Sequence, residues 1–270
     1  ESGFVYNANH SPFKSSGSDD NPKIEDFASE MNFETYDNNR STRLLHLIEE
    51  QEHIDYARFK RIKYDHQLPT PLNYNYMDLN SLFDMKPEDY PEVGALLAEI
   101  KNWNRVTDVE SYGAGAYALL YYNLAPFYYE LSEDRVFTHK ALFEALKVTK
   151  SYMKTYFKSD RVRLGDFQKL VRGDKELPAF GLPDVVTAMR GESHKDGKIK
   201  ITHGESYIGL VRFTPAKTYY ESVISYGSSS RPESPHYSDQ MELYLDFKTK
   251  KMSFDRLEVL GSALSRYAPK

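Results

Sequence analysis

The sequence contains no cysteine. That excludes a disulfide-stapled scaffold and any thiolate chemistry, but it leaves the compartment open, because secreted proteins also do without cysteine. Positive charge is not in excess. Lys and Arg number 35 against 40 Asp and Glu, for a formal net charge of −5, which argues against a nucleic-acid reader. Long apolar runs are missing too. The most apolar stretch, Gly113 to Tyr129, is interrupted by Asn123 and Pro126 and falls short of the roughly 20 residues that span a bilayer. No transmembrane segment is therefore expected. The chain opens Glu1-Ser2-Gly3-Phe4-Val5-Tyr6 without an initiator Met, and it lacks the basic-then-apolar order of a secretory leader. The expectation is a piece of a longer precursor or a processed product.

What is present is enough for a substantial core. The 270 residues suit one large domain or two small ones, and an aromatic content of 14%, with 22 tyrosines, is far above that of a disordered chain. Phe4 to Ala8 reads as a short strand and Ser15 to Pro22 as a turn-rich loop. Leu44, Leu47 and Ile48 mark one face of a helix over Arg40 to Glu50. A second helix carries Ile54, Phe59 and Ile62, with Asp55 as its cap. Pro91 opens a helix whose Val93, Leu96, Leu97, Ile100 and Trp103 keep the 3.6-residue period. Ser111 to Leu124 is apolar nearly all round and predicts a buried central helix. Lys140 to Phe157 is amphipathic, and short helices are expected over Gly165 to Val171 and Asp184 to Met189.

Beyond Gly191 the pattern changes to strands at Lys198 to Thr202, Ser206 to Phe213 and Thr218 to Tyr226. Thr214-Pro215-Ala216 joins the last two as a hairpin. Helices return at Tyr237 to Phe247 and Phe254 to Leu264. The reading is an α+β assembly without repeats, in which the N-terminal strand joins the later ones in one sheet. Its parts are a strand segment over 1–13, a helical region over 36–190, strands over 198–226 and helices over 237–270.

Residue patterns alone point to no chemistry. There is no G-x-S-x-G elbow, since Ile208 stands where Gly204-Glu205-Ser206-Tyr207 would need a glycine. There is no His-Glu-x-x-His. His46, Glu50 and His53 share a helix face, more simply as solvated side chains than as a metal site. Asp19-Asp20-Asn21 lacks the alternation of a calcium loop. Gly191-Glu192-Ser193-His194 reads as a turn.

Four stretches resemble a known family. Gly3-Phe4-Val5-Tyr6-Asn7-Ala8-Asn9-His10-Ser11-Pro12-Phe13 is similar to the GFxxNxNNTPF segment of penicillin acylases, and Asn39-Arg40-Ser41-Thr42-Arg43-Leu44 to the helix start that follows it. Leu170-Val171-Arg172-Gly173-Asp174, with Leu177-Pro178 and Gly181-x-Pro183-Asp184-Val185, resembles a stretch of the acyl-homoserine lactone and aculeacin acylase branch. Gly204-x-Ser206-Tyr207, Tyr226-Gly227-x-Ser229-Ser230 and Ser234-Pro235-His236-Tyr237-x-Asp239-Gln240 resemble that branch's later pattern. The stretches come in family order and correspond to the later part of the large subunit.

The resemblance implies an N-terminal nucleophile hydrolase with an α/β/β/α sandwich. Its precursor cuts itself to free a Ser, whose hydroxyl attacks an amide carbonyl with its own α-amino group as base. Glu1 carries no hydroxyl, Ser2 is too near Asn9 in sequence to replace the family's nucleophile, and the fragment alone is expected to be inactive. Asn9 matches the family's oxyanion donor; without the resemblance it reads as a turn cap before Ser11-Pro12. Arg40 matches an arginine near the active site. Helix geometry also turns it toward Leu44, Leu47 and Ile48, whereas Arg43 falls off that stripe. A structural ion pair is the other reading of Arg40.

Asp20 aligns with a calcium ligand, so one structural calcium is the only metal implied, and no cofactor is required. The implied partners are an N-acyl amide (an acyl-homoserine lactone, a lipopeptide or a β-lactam side chain) and the remaining N-terminal part of the precursor. The implied location is periplasmic or secreted. The alternative is a non-catalytic binding or scaffold module on the same fold. The aromatic surplus is expected to pack under a sheet that the rest of the subunit completes.

Overall fold

A computed structural model of the chain describes residues 2–268, so Glu1 and the last two residues lie outside it. The chain is a mixed α+β structure of two compact units, one of residues 1–171 and 178–204, the other of residues 172–177 and 205–270.

The first unit begins with an irregular segment. Val5 makes one antiparallel bridge to Ser16, and among the described residues no regular strand forms before residue 39, so the strand expected over Phe4 to Ala8 and its place in a common sheet are both corrected. Local groups capture the backbone there: the Tyr6 N–H donates to Ser15 O at 2.9 Å and the Asn9 N–H to the Asn7 side chain at 3.0 Å. Pro12 has no N–H for a ladder.

Helices α1 (Asn39–Glu49) and α2 (Tyr56–Lys63) follow, the second capped by Asp55, whose carboxylate accepts the Arg58 N–H at 2.7 Å. Next come α3 (Ser81–Asp84), α4 (Gly94–Lys101), α5 (Tyr112–Asn123), α6 (His139–Phe157) and the short α7 (Leu164–Phe167). The core gathers on α5, as its apolar sequence requires. Gly113 through Leu120 are buried, and Leu97, Ile100, Leu142, Leu146, Phe137 and Phe167 pack into the same cluster. Gly115 lets α5 approach the chain at Val162; a Cβ there would stand 2.1 Å from the Val162 carbonyl oxygen.

The helix expected over Gly165 to Val171 stops at Phe167 and becomes strand β1 (Gln168–Arg172). A turn with Gly173 at φ +59° leads to β2 (Lys175–Pro178). Asp184 to Met189 is a turn and not a helix. Strands thus begin earlier than expected, at β1, and continue in β3 (Met189–Ser193) and β4 (Ile199–Gly204). Within the first unit β1 pairs parallel and β3 antiparallel with β4.

In the second unit the expected hairpin is present. β5 (Tyr207–Phe213) pairs antiparallel with β6 (Thr218–Ile224) from Tyr207↔Ile224 to Phe213↔Thr218. Helix α8 (Met241–Leu245) is shorter than predicted. An unexpected strand, β7 (Lys250–Met252), joins β6 before α9 (Arg256–Ser262). Alternation along β5 buries Ile208 and Leu210 with Val223 of β6, as a sheet with one covered face requires.

Candidate active site

The start of α1 draws three segments of the first unit together. Asn38 caps the helix: its Oδ1 accepts the Ser41 N–H at 2.9 Å, and Ser41 Oγ accepts the Asn38 N–H at 2.9 Å. This reciprocal pair satisfies two helix-end donors. The Asn38 amide has a second use. Its Nδ2 donates to the carbonyls of Ala8 at 2.9 Å and Asn9 at 3.1 Å, pinning the N-terminal segment to the helix start.

The next two residues reach a turn more than 140 positions later. Asn39 donates to Asp184 Oδ2 twice, from its backbone N at 2.9 Å and its Nδ2 at 3.0 Å, while its Oδ1 accepts the Asn73 N–H at 2.6 Å. Arg40 Nε donates to Asp184 Oδ1 at 3.0 Å, and its Nη1 donates to Asn9 Oδ1 at 2.9 Å. Asn9 and Arg40 are thus in direct contact, and Asp184 completes a line of three.

The contacts settle which way the Asn9 amide points. Guanidinium only donates, so the Asn9 atom facing it is the oxygen, and Nδ2 lies on the far side. Asn9 is exposed, and its Nδ2 has no hydrogen-bond partner among the described residues. Both outer members of the line have left-handed backbone, φ +54° at Asn9 and +66° at Asp184. Asn and Asp tolerate that region better than most residues.

The Arg40 and Asp184 side chains are 25% and 14% exposed. Burial pushes the Asp184 carboxyl above the usual carboxylate range, against the pull of the hydrogen bonds and charge from Arg40 and Asn39. His10 shapes the turn beside Asn9. It is buried, accepts the Ala8 N–H on Nδ1 at 3.2 Å, and stands 3.1 Å from Lys14 O through Nε2. Its ring stacks on Tyr6 at 4.8 Å. The Tyr6 hydroxyl is pushed up to about 12 by burial and by the charges of Asp37 and Glu49.

The other candidates are placed differently. Asp20 is exposed, in a single 3-10 turn, and its carboxylate accepts the Ser2 backbone N–H. No group of three or more potential metal-ligating His, Cys, Asp or Glu side chains forms among the described residues, so Asp20 by itself does not make up the donor set a calcium ion takes. His46 pairs with Glu50 at 3.2 Å on the exposed side of α1, and His53 lies beyond the helix.

Ser2 Oγ is spent within the N-terminal segment, 2.9 Å from Ser16 Oγ. Gly191 to Ser193 belongs to β3 and not to a turn. Arg43, expected to point away, is the better buried of the two arginines. It forks onto Asp65 at 3.1 and 2.8 Å and onto Gln67 at 2.8 Å. Asp184 was missed; its place in the Gly181-x-Pro183-Asp184 stretch was its only signal.

Tyrosines crowd the neighbouring core. Tyr74 and Tyr117 pair their hydroxyls at 3.1 Å, and Tyr76 and Tyr121 pair theirs at 2.5 Å. Burial raises all four phenols, with the negative charge of Asp184 adding to the effect at Tyr76 and Tyr117. Part of the tyrosine surplus is therefore consumed inside the first unit, where these four hydroxyls pair with one another.

The chain is similar in sequence to known proteins. A family model described as penicillin amidase matches residues 1–260. The acyl-homoserine lactone acylase PvdQ of Pseudomonas syringae pv. syringae (strain B728a) is 30% identical over 98 residues, which are 35% of this chain and 13% of that protein. The PvdQ of Pseudomonas fluorescens (strain Pf0-1) is 27% identical over 108 residues, 39% of this chain and 14% of that protein. Among solved structures, the thermostable penicillin G acylase from Alcaligenes faecalis shares 12% identity over 93% of this chain and 56% of that one, with a TM-score of 0.45. The matched stretches are thus a small part of the curated relatives' length.

Proposed function

We propose, from the premise that the chain belongs to the penicillin amidase family, that the full-length protein hydrolyses N-acyl amides through an acyl-enzyme. In this reading a serine hydroxyl supplied by another part of the protein attacks the amide carbonyl. The new C–O bond pushes the carbonyl electrons onto oxygen, and an Asn9 N–H donates to the alkoxide that develops. Collapse of the intermediate breaks the C–N bond, and the amine leaves with the proton that the serine hydroxyl gave up. A water then attacks the ester, releasing the acid and restoring the hydroxyl. A neutral amide donor fixed in place suits this step, because it stabilises charge that exists only in the transition state.

The observation that supports this reading is the 2.9 Å bond from Arg40 Nη1 to Asn9 Oδ1. It leaves the amide N–H pair facing outward. In this reading Arg40 acts by positioning Asn9. The substrate class is an acyl-homoserine lactone, an acylated lipopeptide or a β-lactam with an acyl side chain, and the site of action is periplasmic or secreted. No helix among the described residues is long and apolar enough to cross a membrane. Asp20 is offered as one ligand of a structural calcium whose other donors lie in other parts of the protein, with no step of the chemistry passing through it.

The test is turnover of a panel of N-acyl amides by the full-length, processed protein. Release of free acid and amine from at least one acyl class is expected. A processed protein that binds acyl amides without cleaving any of them favours a binding module.

A further inference from the structure

We propose that Asp184 is a positioning residue for the oxyanion donor, acting through Arg40 to hold the Asn9 amide with its N–H pair outward. The proposal rests on the amide-hydrolase reading above and adds to it a residue outside the Asn9 and α1 segments.

The geometry carries the argument. Arg40 makes two separate bonds, Nε to Asp184 and Nη1 to Asn9. A rigid planar guanidinium held at two points cannot turn about either. With only the Asn9 contact, a side chain that is 25% exposed keeps other rotamers open in solvent. The carboxylate is itself immobile. Oδ1 takes Arg40, and Oδ2 takes both donors of Asn39, so rotation about its terminal bond breaks three hydrogen bonds at once.

The turn that presents Asp184 is braced from below. Gln168 is fully buried, and its Nε2 donates to the carbonyls of Ala179, Phe180 and Gly181 at 3.1, 3.1 and 2.7 Å. The backbone N and Oγ1 of Thr187 both donate to Asp65 O. Asp184 keeps φ +66° within this brace. An ion pair serving only to join two elements needs neither a left-handed backbone nor the second arm of the arginine laid on an exposed amide. A preorganised donor needs both, because a supporting shell has to fix its orientation before the substrate arrives.

The probe is Asp184→Asn in the full-length, processed protein. Asparagine keeps the shape and tolerates the backbone. Either flip of its amide, however, sets an NH2 against a donor, Arg40 Nε on one side or the Asn39 pair on the other. The expected result is a fall in kcat of about 10- to 100-fold, in line with the cost of a misplaced catalytic group, with KM changed by less than about twofold. In an Asn9→Gly background the same substitution is expected to change kcat by less than about twofold, because the group it positions is gone.

Equal losses in both backgrounds, or an unchanged kcat in the single variant, overturn the proposal. Asp184→Gly suits the left-handed backbone and carries the same comparison if Asp184→Asn does not fold. A crystal structure of either variant gives a readout that needs no turnover. The Arg40–Asn9 bond is expected to be broken or displaced, and its survival at 2.9 Å overturns the proposal. If the wild type cleaves acyl amides and Asn9→Gly does not, while Asp184→Asn is unaffected, the amide-hydrolase reading stands and this one fails. If the wild type cleaves none, that reading fails, and the crystal structure alone decides the positioning role.

Discussion

Arg40 donates to Asn9 through Nη1 at 2.9 Å, across 31 positions of sequence, and so presents the asparagine's nitrogen and not its oxygen to solvent. Asn9→Ala therefore removes the proposed donor and is expected to lower kcat by about 100- to 1,000-fold. Alanine also strains the φ +54° backbone, at about 1–2 kcal/mol. Asn9→Gly separates the two effects: the same loss of kcat, with less change in Tm. Steady-state kinetics and thermal melts on the pair check this.

Arg40→Lys keeps the charge but gives up the fork. An ammonium on a flexible stem holds Asp184 or Asn9, not both in one plane. The expected outcome is a clear loss of kcat with modest loss of stability. Arg40→Met leaves the Asp184 carboxylate largely buried without its cation. Because the pair is partly exposed, the expected cost is about 1–3 kcal/mol in denaturant unfolding, below that of a fully buried pair.

Asn38→Ala tests the link between helix capping and the site. It removes the cap bond to Ser41 and both bonds to the Ala8 and Asn9 carbonyls. The cap alone is worth about 1 kcal/mol. Because Asn38 also ties down the segment that carries Asn9, kcat is expected to fall along with the melting temperature.

The pH dependence follows from the raised carboxyl of Asp184. A carboxyl whose folded pKa lies above its unfolded value binds more protons in the folded state between the two. Stability from this group is thus lost as pH rises through that window and is flat above it. Compared with wild type, Asp184→Asn is expected to gain stability as pH rises from below the unfolded value to the raised one. Melts of both proteins across the acidic range check the sign; a difference moving the other way contradicts the assignment of burial as the dominant cause.

Gly115→Ala sets propensity against space. In an open helix the change stabilises by up to about 1 kcal/mol. Here the added Cβ meets the Val162 carbonyl oxygen at 2.1 Å, and backbone has to move. Overpacking of this kind costs about 1–3 kcal/mol, so net destabilisation in urea unfolding is expected.

The helices were legible because their apolar periods are long. The buried faces of α4, α5 and α6 follow from Leu96, Leu97 and Ile100, from Ala114 to Leu120, and from Leu142, Ala145 and Leu146. The N-terminal segment was not legible. Phe4, Tyr6 and Ala8 alternate like a strand, but strand pairing needs a neighbour with free backbone, and Ser15, Asn7 and the distant Asn38 capture backbone groups of this segment instead.

The transition at Phe167 was misread because Leu170 and Val171 suit a buried strand as well as a helix, and a short apolar run does not separate the two. At the site, helix geometry turned Arg40 inward, while Asn9 stood out only through resemblance. Arg43 was misjudged because its partners, Asp65 and Gln67, come from more than 20 positions away and leave no mark on the period of α1. Asp184 looked like a helix-opening acid; its left-handed backbone and its two partners on α1 are tertiary facts that no local pattern encodes.

The most direct measurement compares the full-length, processed wild type with its Asn9→Gly variant in release of acid from an N-acyl amide under single-turnover conditions. The account predicts cleavage by the wild type, a rate about 100- to 1,000-fold lower in the variant, and matching thermal melts. Equal rates in the two proteins contradict it.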